Sequence, residues 1–256
     1  MTRVLRVALG EYDTGWHDPA GSLARAERLV RVAARGGAQL VALPEMCTTG
    51  FTMDAATQAE SLDGSSVRAL GRIAAEAKVH LLAGVALREC VDGTERAVNA
   101  ALLFDEGAGV RAVYRKQRVF AYAGEDQVYS PGGDAVIATV QGVRIAPFIC
   151  YDLRFPELFR RVARDVDAVV IIANWPAKRR AHWDALIRAR AIENQCYVVA
   201  VNRLGEGGGV AYDGGSAAFD PWGEPLASRG DVVATVDIDP ARVRAVREEY
   251  PFLRDL

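Results

Sequence analysis

The stretch Val143-Arg144-Ile145-Ala146-Pro147-Phe148-Ile149-Cys150 decides how this chain is interpreted. Its apolar run predicts a buried β-strand, and Cys150 stands at the carboxyl end of that strand. The residues that follow, Tyr151-Asp152-Leu153-Arg154-Phe155-Pro156-Glu157, predict that a helix is about to begin. Open α/β sheets bind their ligands at this edge, and the positive end of a helix favours the thiolate form of a nearby thiol. Cys150 is therefore the first candidate for a functional residue.

A carboxylate and an amine occupy comparable positions elsewhere in the chain. Glu45 follows the apolar segment 39–44, and Lys116 follows the strand-like segment 110–115. Taken singly, each of the three has an ordinary structural interpretation: a strand-end charge, a solvated lysine and an inert buried thiol. An acid, an amine and a thiol at three strand ends together indicate covalent catalysis.

The three side chains suit the attack of a thiolate on a carbonyl carbon. Glu45, buried behind Pro44, is expected to have its pKa raised by desolvation, into the range useful for a general base. Lys116 is expected to stabilise the negative charge that develops on the carbonyl oxygen, together with the backbone N–H of Tyr151. A Cys–His pair is a weaker alternative, because His182 lies at a predicted helix start, where packing or capping is the ordinary role.

Composition narrows the class of protein further. The chain has 256 residues, half of them apolar and a quarter charged, which predicts a single domain over residues 1–256. A formal net charge of −2 argues against binding to nucleic acid or to an anionic membrane surface. No secretory or membrane-spanning segment is evident, so a cytoplasmic protein is expected. The four cysteines and three histidines are scattered, so no metal site or disulfide framework is expected.

The order of apolar periodicities predicts an α/β fold, a four-layer α-β-β-α sandwich of two mixed β-sheets with helices on the outer faces. The first and second halves of the chain repeat the same strand–helix layout. A glycine-rich loop at 205–215 lacks a phosphate-binding pattern and is interpreted as a mobile lip of the site or a turn with unusual dihedral angles. The predicted strands are 4–9, 40–43, 79–86, 99–104, 110–114, 135–140, 143–149, 168–173, 197–202, 216–219 and 232–238, and the predicted helices are 19–35, 65–78, 156–164, 180–195 and one from 240.

The chain resembles the nitrilase (carbon–nitrogen hydrolase) superfamily over nearly its whole length. The Glu-Lys-Cys triad of that superfamily matches Glu45, Lys116 and Cys150 in order and in context. Within the superfamily, the chain is most similar to the omega-amidase branch, which hydrolyses the terminal amide of 2-oxoglutaramate and 2-oxosuccinamate. The most specific blocks are 149–157, Asn174-Trp175-Pro176, and 182–195 continuing to Val201-Asn202-Arg203.

The resemblance implies a two-step reaction through a thioester on the cysteine, with no cofactor. It also implies a second pocket glutamate after the lysine, which matches Glu125, with the neighbouring Asp126 as a rival. The omega-amidase pattern usually has histidine two residues after the lysine, and this chain has Arg118 there, which leaves fine substrate choice open. The family implies a homodimer or larger homo-oligomer formed through the helices 156–164 and 180–195. Candidate interface residues, for which core packing is an equal alternative, are Phe155, Leu158, Phe159, Leu186 and Ile187.

An omega-amide of a keto acid is a small-molecule substrate with a carboxylate at its far end, so the pocket should contain a cation. Arg179 is the leading candidate because a guanidinium can bind a carboxylate through two parallel hydrogen bonds. Arg154 competes, although a structural ion pair explains it equally well, and Arg180 is expected to face solvent. The aromatic residues proposed to wall the pocket are Phe120, Tyr122 and Trp175.

Three alternatives remain. Another amidase of the superfamily would share the triad and differ in substrate: a deaminated-glutathione amidase, an N-carbamoyl amino acid hydrolase, an aliphatic amidase or a nitrilase. A catalytically silent member could serve as an interaction subunit, although the intact triad argues against this. A Rossmann-type oxidoreductase is disfavoured because no GxGxxG follows the first strand.

Overall fold

Two mixed β-sheets and six α-helices account for most of the residues that the computed structural model describes, namely 4–226 and 233–256. In this part of the chain no helix has both the length and the apolarity needed to cross a membrane. The strands are β1 (Leu5–Leu9), β2 (Leu40–Ala42), β3 (His80–Val91), β4 (Thr94–Phe104), β5 (Val110–Arg115), β6 (Ala138–Val140), β7 (Val143–Ile149), β8 (Ala168–Ile172), β9 (Tyr197–Val201), β10 (Leu204–Gly207), β11 (Val210–Asp213), β12 (Ala217–Phe219) and β13 (Ala234–Ile238). The helices are α1 (Pro19–Arg35), α2 (Ala55–Gln58), α3 (Ser65–Ala77), α4 (Pro156–Arg160), α5 (Arg180–Asn194) and α6 (Pro240–Glu249).

The strand order places the ends of several strands at one edge of each sheet. The first sheet has the order β13-β1-β2-β3-β4-β5, in which β1, β2 and β3 are parallel to one another. The second has the order β12-β9-β8-β7-β6, in which β7, β8 and β9 are parallel. Because the carboxyl ends of parallel strands share an edge, the residues that follow β2, β7 and β8 can meet there.

The layers follow from burial on both faces of the central strands. Every residue of β8 and β9 is buried, which is the pattern of parallel strands covered on both sides. One apolar cluster fills the space between the sheets and continues to α4 and α5 on the outer side of the second sheet. A second cluster packs the outer side of the first sheet against α1 and α3. The predicted α-β-β-α sandwich is confirmed.

Several predicted boundaries need correction. Strands β3 and β4 form a hairpin of 12 and 11 residues, much longer than 79–86 and 99–104, because the pair extends beyond the buried apolar part into exposed residues. The helix predicted at 156–164 ends at Arg160 and continues as turns. The segment 205–215 is largely the hairpin β10–β11, closed by Gly208 and Gly209 at φ values of 57° and 75°. Position 232 of the strand predicted at 232–238 lies outside the described residues.

The apolar residues proposed for a subunit interface are mostly core. Leu158, Phe159 and Ile187 are at most 2% exposed and belong to the cluster around the second sheet. Phe155 and Leu186 are half-buried against the same cluster. A helix face cannot pack into its own sheet and also against a partner, so the first three cannot form an interface in this fold.

Gly84 lies in β3 where the segment carrying Glu45 crosses close to the sheet. Its N–H donates to the Pro44 carbonyl at 3.2 Å, and its carbonyl accepts from the Cys47 N–H at 2.8 Å. A Cβ added to Gly84 would lie 2.5 Å from the Cα of Glu45 and 2.7 Å from the Met46 nitrogen. Both atoms are backbone, so a side chain here must displace the segment that holds Glu45.

We expect Gly84→Ala to lower the free energy of unfolding by about 1–3 kcal/mol, as overpacking typically does, and to displace Glu45. Chemical denaturation and amide-hydrolysis rates measure the two effects. The matched control is Gly133→Ala, because an added Cβ there meets no atom within 4 Å and the backbone is not left-handed. Equal behaviour of the two variants would contradict the close-approach argument.

Candidate active site

Glu45 is held in a fully buried position by hydrogen-bond donors from three residues. It follows β2 and Pro44, and its side chain is 0% exposed. Its Oε1 accepts from the Asn99 Nδ2 at 2.7 Å and from the Lys116 Nζ at 2.8 Å. Its Oε2 accepts from the backbone N–H of Asn174 at 2.8 Å, at the end of β8. The carboxylate therefore has a fixed orientation, set by residues from both sheets.

Lys116 lies between two carboxylates. Its ammonium is buried at the end of β5 and donates to both oxygens of Glu125, at 3.0 and 2.9 Å, as well as to Glu45. Glu125 is itself fully buried and accepts from the Asn99 Nδ2 at 2.8 Å and the Phe120 N–H at 2.5 Å. The rival Asp126 is exposed and accepts a hydrogen bond from its neighbour Gln127 at 2.9 Å. The second glutamate beside the lysine is therefore Glu125.

Cys150 sits on a sharp turn directly after β7. Its φ is +46°, in the left-handed region that a non-glycine residue rarely adopts, and its Sγ lies 3.8 Å from the Asn174 carbonyl oxygen. The short 3-10 turn that follows is fixed by the fully buried Asp152. Asp152 accepts hydrogen bonds from the Ile149 N–H at 3.0 Å, the Tyr114 hydroxyl at 2.8 Å and the Arg118 N–H at 2.8 Å.

The charges of the cluster shift its pKa values in opposite directions. Burial alone would raise the pKa of Glu45, but the Lys116 charge and the hydrogen bonds from Lys116, Asn99 and Asn174 lower it overall. The raised pKa expected for Glu45 from the sequence is therefore wrong. Burial and then the Glu45 charge raise the pKa of the Cys150 thiol well above its usual range, although Lys116 opposes them. Burial would lower the pKa of Lys116, but the Glu125 and Glu45 charges raise it.

These shifts define the resting protonation state. Glu45 is a carboxylate, Lys116 is an ammonium and Cys150 is a neutral thiol at neutral pH. Because the thiolate form of Cys150 is disfavoured, the thiol could act as a nucleophile only if a base such as Glu45 took its proton during the attack.

A cavity of about 620 Å³ opens onto this cluster. Lys116 and Cys150 line it, whereas Glu45 and Glu125 lie behind them, away from its surface. The Lys116 ammonium and the Cys150 thiol therefore face the same cavity. The other lining residues are Phe51, Phe120, Tyr122, Ala123, Tyr151, Arg154, Asn174, Trp175, Pro176, Ala177, Lys178, Arg179, Gly209, Val210, Ala211 and Tyr212.

Three cations besides Lys116 lie on the cavity wall. The Arg179 guanidinium stands over the Phe120 ring, 5.3 Å from its centroid, and Arg154 stands over the Trp175 ring at 4.8 Å. Within residues 4–226 and 233–256 neither pairs with a carboxylate, so the structural ion pair considered for Arg154 is not what the structure has. Lys178 is exposed on the same wall.

The expectation that Arg180 faces solvent is wrong. Its side chain is only 19% exposed and pairs with Asp213 at 2.7 Å, at the end of the β10–β11 hairpin. That hairpin forms one lip of the cavity through residues 209–212. Tyr212 in particular is buried, with the Arg203 guanidinium over its ring at 4.6 Å.

The aromatic residues predicted to wall the cavity do line it. Phe120 packs against Tyr151 with ring centroids 4.8 Å apart, Trp175 is nearly fully buried, and Tyr122 is 90% exposed at the mouth. The sequence interpretation missed Phe51, whose ring lies 5.2 Å from the Lys116 Nζ.

Two residues named for possible roles lie outside the cavity lining. Arg118, which stands where omega-amidases usually have histidine, bonds Glu157 at 3.1 Å and stacks over Phe155. His182 contacts Arg154 at 3.1 Å. No Cys–His contact with Cys150 occurs among the hydrogen bonds of the described residues.

The most informative residue that sequence reasoning missed is Asn99. It is 1% exposed within β4 and bonds both glutamates. A signal was present, because Asn99 interrupts the apolar run Val98-Asn99-Ala100-Ala101-Leu102-Leu103, and a buried asparagine needs partners.

Several known proteins are similar to this chain in sequence and in fold. Residues 6–248 match the family described as carbon-nitrogen hydrolase. The chain is 37% identical over 255 residues to the omega-amidase YafV of Escherichia coli, covering 98% of this chain and 96% of that protein. It is 32% identical over 251 residues to the 2-oxoglutaramate amidase of Bacillus subtilis, covering 96% and 95%.

A solved structure agrees with the sequence comparisons. A CN-hydrolase superfamily protein of Xanthomonas campestris, crystallised with an arsenic adduct in its active site, matches with a TM-score of 0.91 at 35% identity, over 99% of this chain and 97% of that chain. The chain thus belongs to the carbon–nitrogen hydrolase family. Its resemblance to the nitrilase superfamily is confirmed, and the protein is an enzyme that hydrolyses carbon–nitrogen bonds.

The raised thiol pKa predicts how Cys150 reacts with iodoacetamide. In a Cys90→Ser background, which removes the exposed cysteine, the alkylation rate should keep rising beyond pH 9. Cys47 and Cys196 should not interfere, since both are fully buried, whereas Cys150 lines the cavity. In Glu45→Gln the nearby negative charge is gone, so the alkylation rate of Cys150 at a given pH should be higher.

The measurement is the alkylation rate of Cys150 from pH 6 to 10, with the site identified by peptide mass spectrometry. Equal rates at every pH with and without the Glu45 charge would show that this carboxylate does not act on the thiol.

Proposed function

We propose that this enzyme hydrolyses the terminal amide of an omega-amide of a keto dicarboxylic acid, such as 2-oxoglutaramate, through a thioester on Cys150. The observation that carries the proposal is the buried contact between Lys116 and Glu45, at 2.8 Å, beside a thiol on the wall of the same cavity. The proposed oxyanion donor and nucleophile thus face one cavity, and the proposed base lies directly behind them.

In the proposed first step, Glu45 takes the thiol proton as the Cys150 sulfur attacks the amide carbon. The carbonyl π electrons move to oxygen, where the Lys116 ammonium and the Tyr151 N–H stabilise the charge. When the intermediate collapses, the carbon–nitrogen bond breaks and protonated Glu45 gives its proton to the leaving nitrogen. Ammonia leaves and a thioester remains.

In the proposed second step, Glu45 takes a proton from water as the water oxygen attacks the thioester carbon. Collapse breaks the carbon–sulfur bond, and the thiol regains its proton from Glu45, which gives a carboxylic acid and the resting enzyme. We assign Glu125 the role of holding Lys116 in place. Its full burial, behind the cavity wall, favours this role over contact with the substrate.

The cavity cations support a substrate with a carboxylate. Arg154 and Arg179 face the cavity and pair with no carboxylate in the described part of the chain, so a substrate carboxylate would complete them. Two similar proteins are named omega-amidase and 2-oxoglutaramate amidase, which points to the same substrate class. A homodimer and a cytoplasmic location stay predictions, the first open to light scattering in solution.

Replacing the proposed nucleophile should abolish turnover and leave the fold intact. We expect Cys150→Ala to reduce ammonia release from 2-oxoglutaramate by about 10⁴-fold or more, and Cys90→Ser, at an exposed cysteine, to leave it unchanged. In the unaltered enzyme, rapid acid quenching should trap an acyl adduct on the peptide containing Cys150, detected by mass spectrometry. Substantial turnover by a folded Cys150→Ala protein would exclude this mechanism.

The cation assignment predicts a dependence on substrate charge. Arg179→Ala should raise KM for 2-oxoglutaramate about 10- to 100-fold, the effect of one lost charge-assisted hydrogen bond, and should barely change KM for an uncharged amide of similar length. Arg154→Ala, measured in parallel, shows whether the two arginines share the task. Arg180→Ala is the control, because Arg180 lies outside the lining. Equal KM effects on charged and uncharged amides would refute the assignment.

A further inference from the structure

Asn99 contacts the three buried charged residues Glu45, Glu125 and Lys116. Its side-chain Nδ2 donates to the Glu45 Oε1 at 2.7 Å and to the Glu125 Oε1 at 2.8 Å. Its backbone carbonyl accepts from the Lys116 N–H at 2.8 Å. One residue of β4 therefore fixes the two acids through its side chain and the lysine through its backbone.

The contacts of Asn99 and Lys116 close a ring. The Lys116 Nζ bridges the same two oxygens as the Asn99 Nδ2, namely the Oε1 atoms of Glu45 and Glu125. The four atoms alternate donor, acceptor, donor, acceptor. One donor is charged and the other is neutral, so the ring contains two negative charges and one positive charge.

The orientation of the Asn99 amide follows from the ring. Reversing the amide would aim its oxygen at two carboxylate oxygens and leave both without that donor. In the observed orientation the Asn99 Oδ1 is buried and has no hydrogen-bond partner among the described residues. An unpaired buried acceptor is unfavourable, and its presence is explained if both N–H groups are needed by the carboxylates.

We propose that Asn99 is a positioning residue that holds the Glu45 and Glu125 carboxylates side by side against Lys116 without adding a charge, so that Glu45 stays ready to accept the thiol proton. A second cation in its place would cancel negative charge in the cluster and make Glu45 a weaker base. An apolar residue would remove one of the hydrogen bonds that stabilise the ionised form of Glu45, and Glu45 would take up a proton more readily. The neutral amide of Asn99 donates to both carboxylates and adds no positive charge. This inference rests on the proposed function of Glu45.

The experiment compares Asn99→Ala and Asn99→Leu with the unaltered enzyme. The acid-side midpoint of the kcat/KM profile should rise by about one pH unit, a tenfold change in proton affinity, because the Asn99 hydrogen bond helps to lower the pKa of Glu45. KM should stay within about twofold, since Asn99 lies outside the cavity lining. If Asn99→Leu does not fold, Asn99→Ala provides the same readout.

The matched controls are Asn194→Ala and Asn194→Leu. Asn194 is also fully buried with an unpaired Oδ1, but its Nδ2 bonds the Arg190 carbonyl within α5. These variants should lose stability without moving the acid-side midpoint. Asn99 variants that are slower with an unmoved midpoint, or Asn194 variants that move it equally, would overturn the proposal.

A second readout needs no turnover. Infrared difference spectra between pH 5 and pH 7 report the protonation of buried carboxylates. Burial raises the pKa of Asp152 to about 6, so its band should appear in every variant. Asn99→Ala should add a second protonated carboxyl band at a higher pH than in the unaltered enzyme, and Glu45→Gln in the same background should remove that added band. The added band tests the role of Asn99 even if 2-oxoglutaramate proves not to be a substrate, whereas its absence would refute that role.

Discussion

The buried ammonium of Lys116, held between Glu45 and Glu125, is the interaction on which the rest of the site depends. An ammonium at 1% exposure is tolerable only with nearby opposite charge. The two glutamates come from different segments, and Asn174 from the other sheet holds the far oxygen of Glu45. The packing of the two sheets thus sets the geometry of the chemistry, and a shift between them would alter every distance in the cluster.

The sequence predicted three groups that the structure brings together, because the ends of strands can be recognised in a sequence. Glu45 and Cys150 each follow an apolar run, and the edge shared by parallel strands brings such residues together. The four-layer architecture was predictable for the same reason, since strands buried on both faces need two covering layers. The resemblance carried Glu125, which spacing alone could not distinguish from Asp126.

What the sequence could not provide depends on distant partners. The direction of the Glu45 pKa shift was wrong because Lys116, 71 positions away, outweighs burial with the help of hydrogen bonds from Asn99 and Asn174, 54 and 129 positions away. Arg180 was misplaced because its partner Asp213 belongs to a hairpin that glycine content alone did not reveal. The predicted lengths of β3 and β4 were too short, because the outer part of this hairpin is exposed and shows no burial pattern.

The left-handed backbone conformation of Cys150 lowers the stability of the folded protein. A side chain at φ +46° is strained, by about 1–3 kcal/mol for such conformations in general, and glycine would relieve that strain. The proposed role of Cys150 as the nucleophile gives a reason for keeping a sulfur atom at this turn in spite of the strain. Under that proposal, a gain in thermal stability and a loss of activity can follow from the same substitution, so thermal stability by itself is a poor guide to activity.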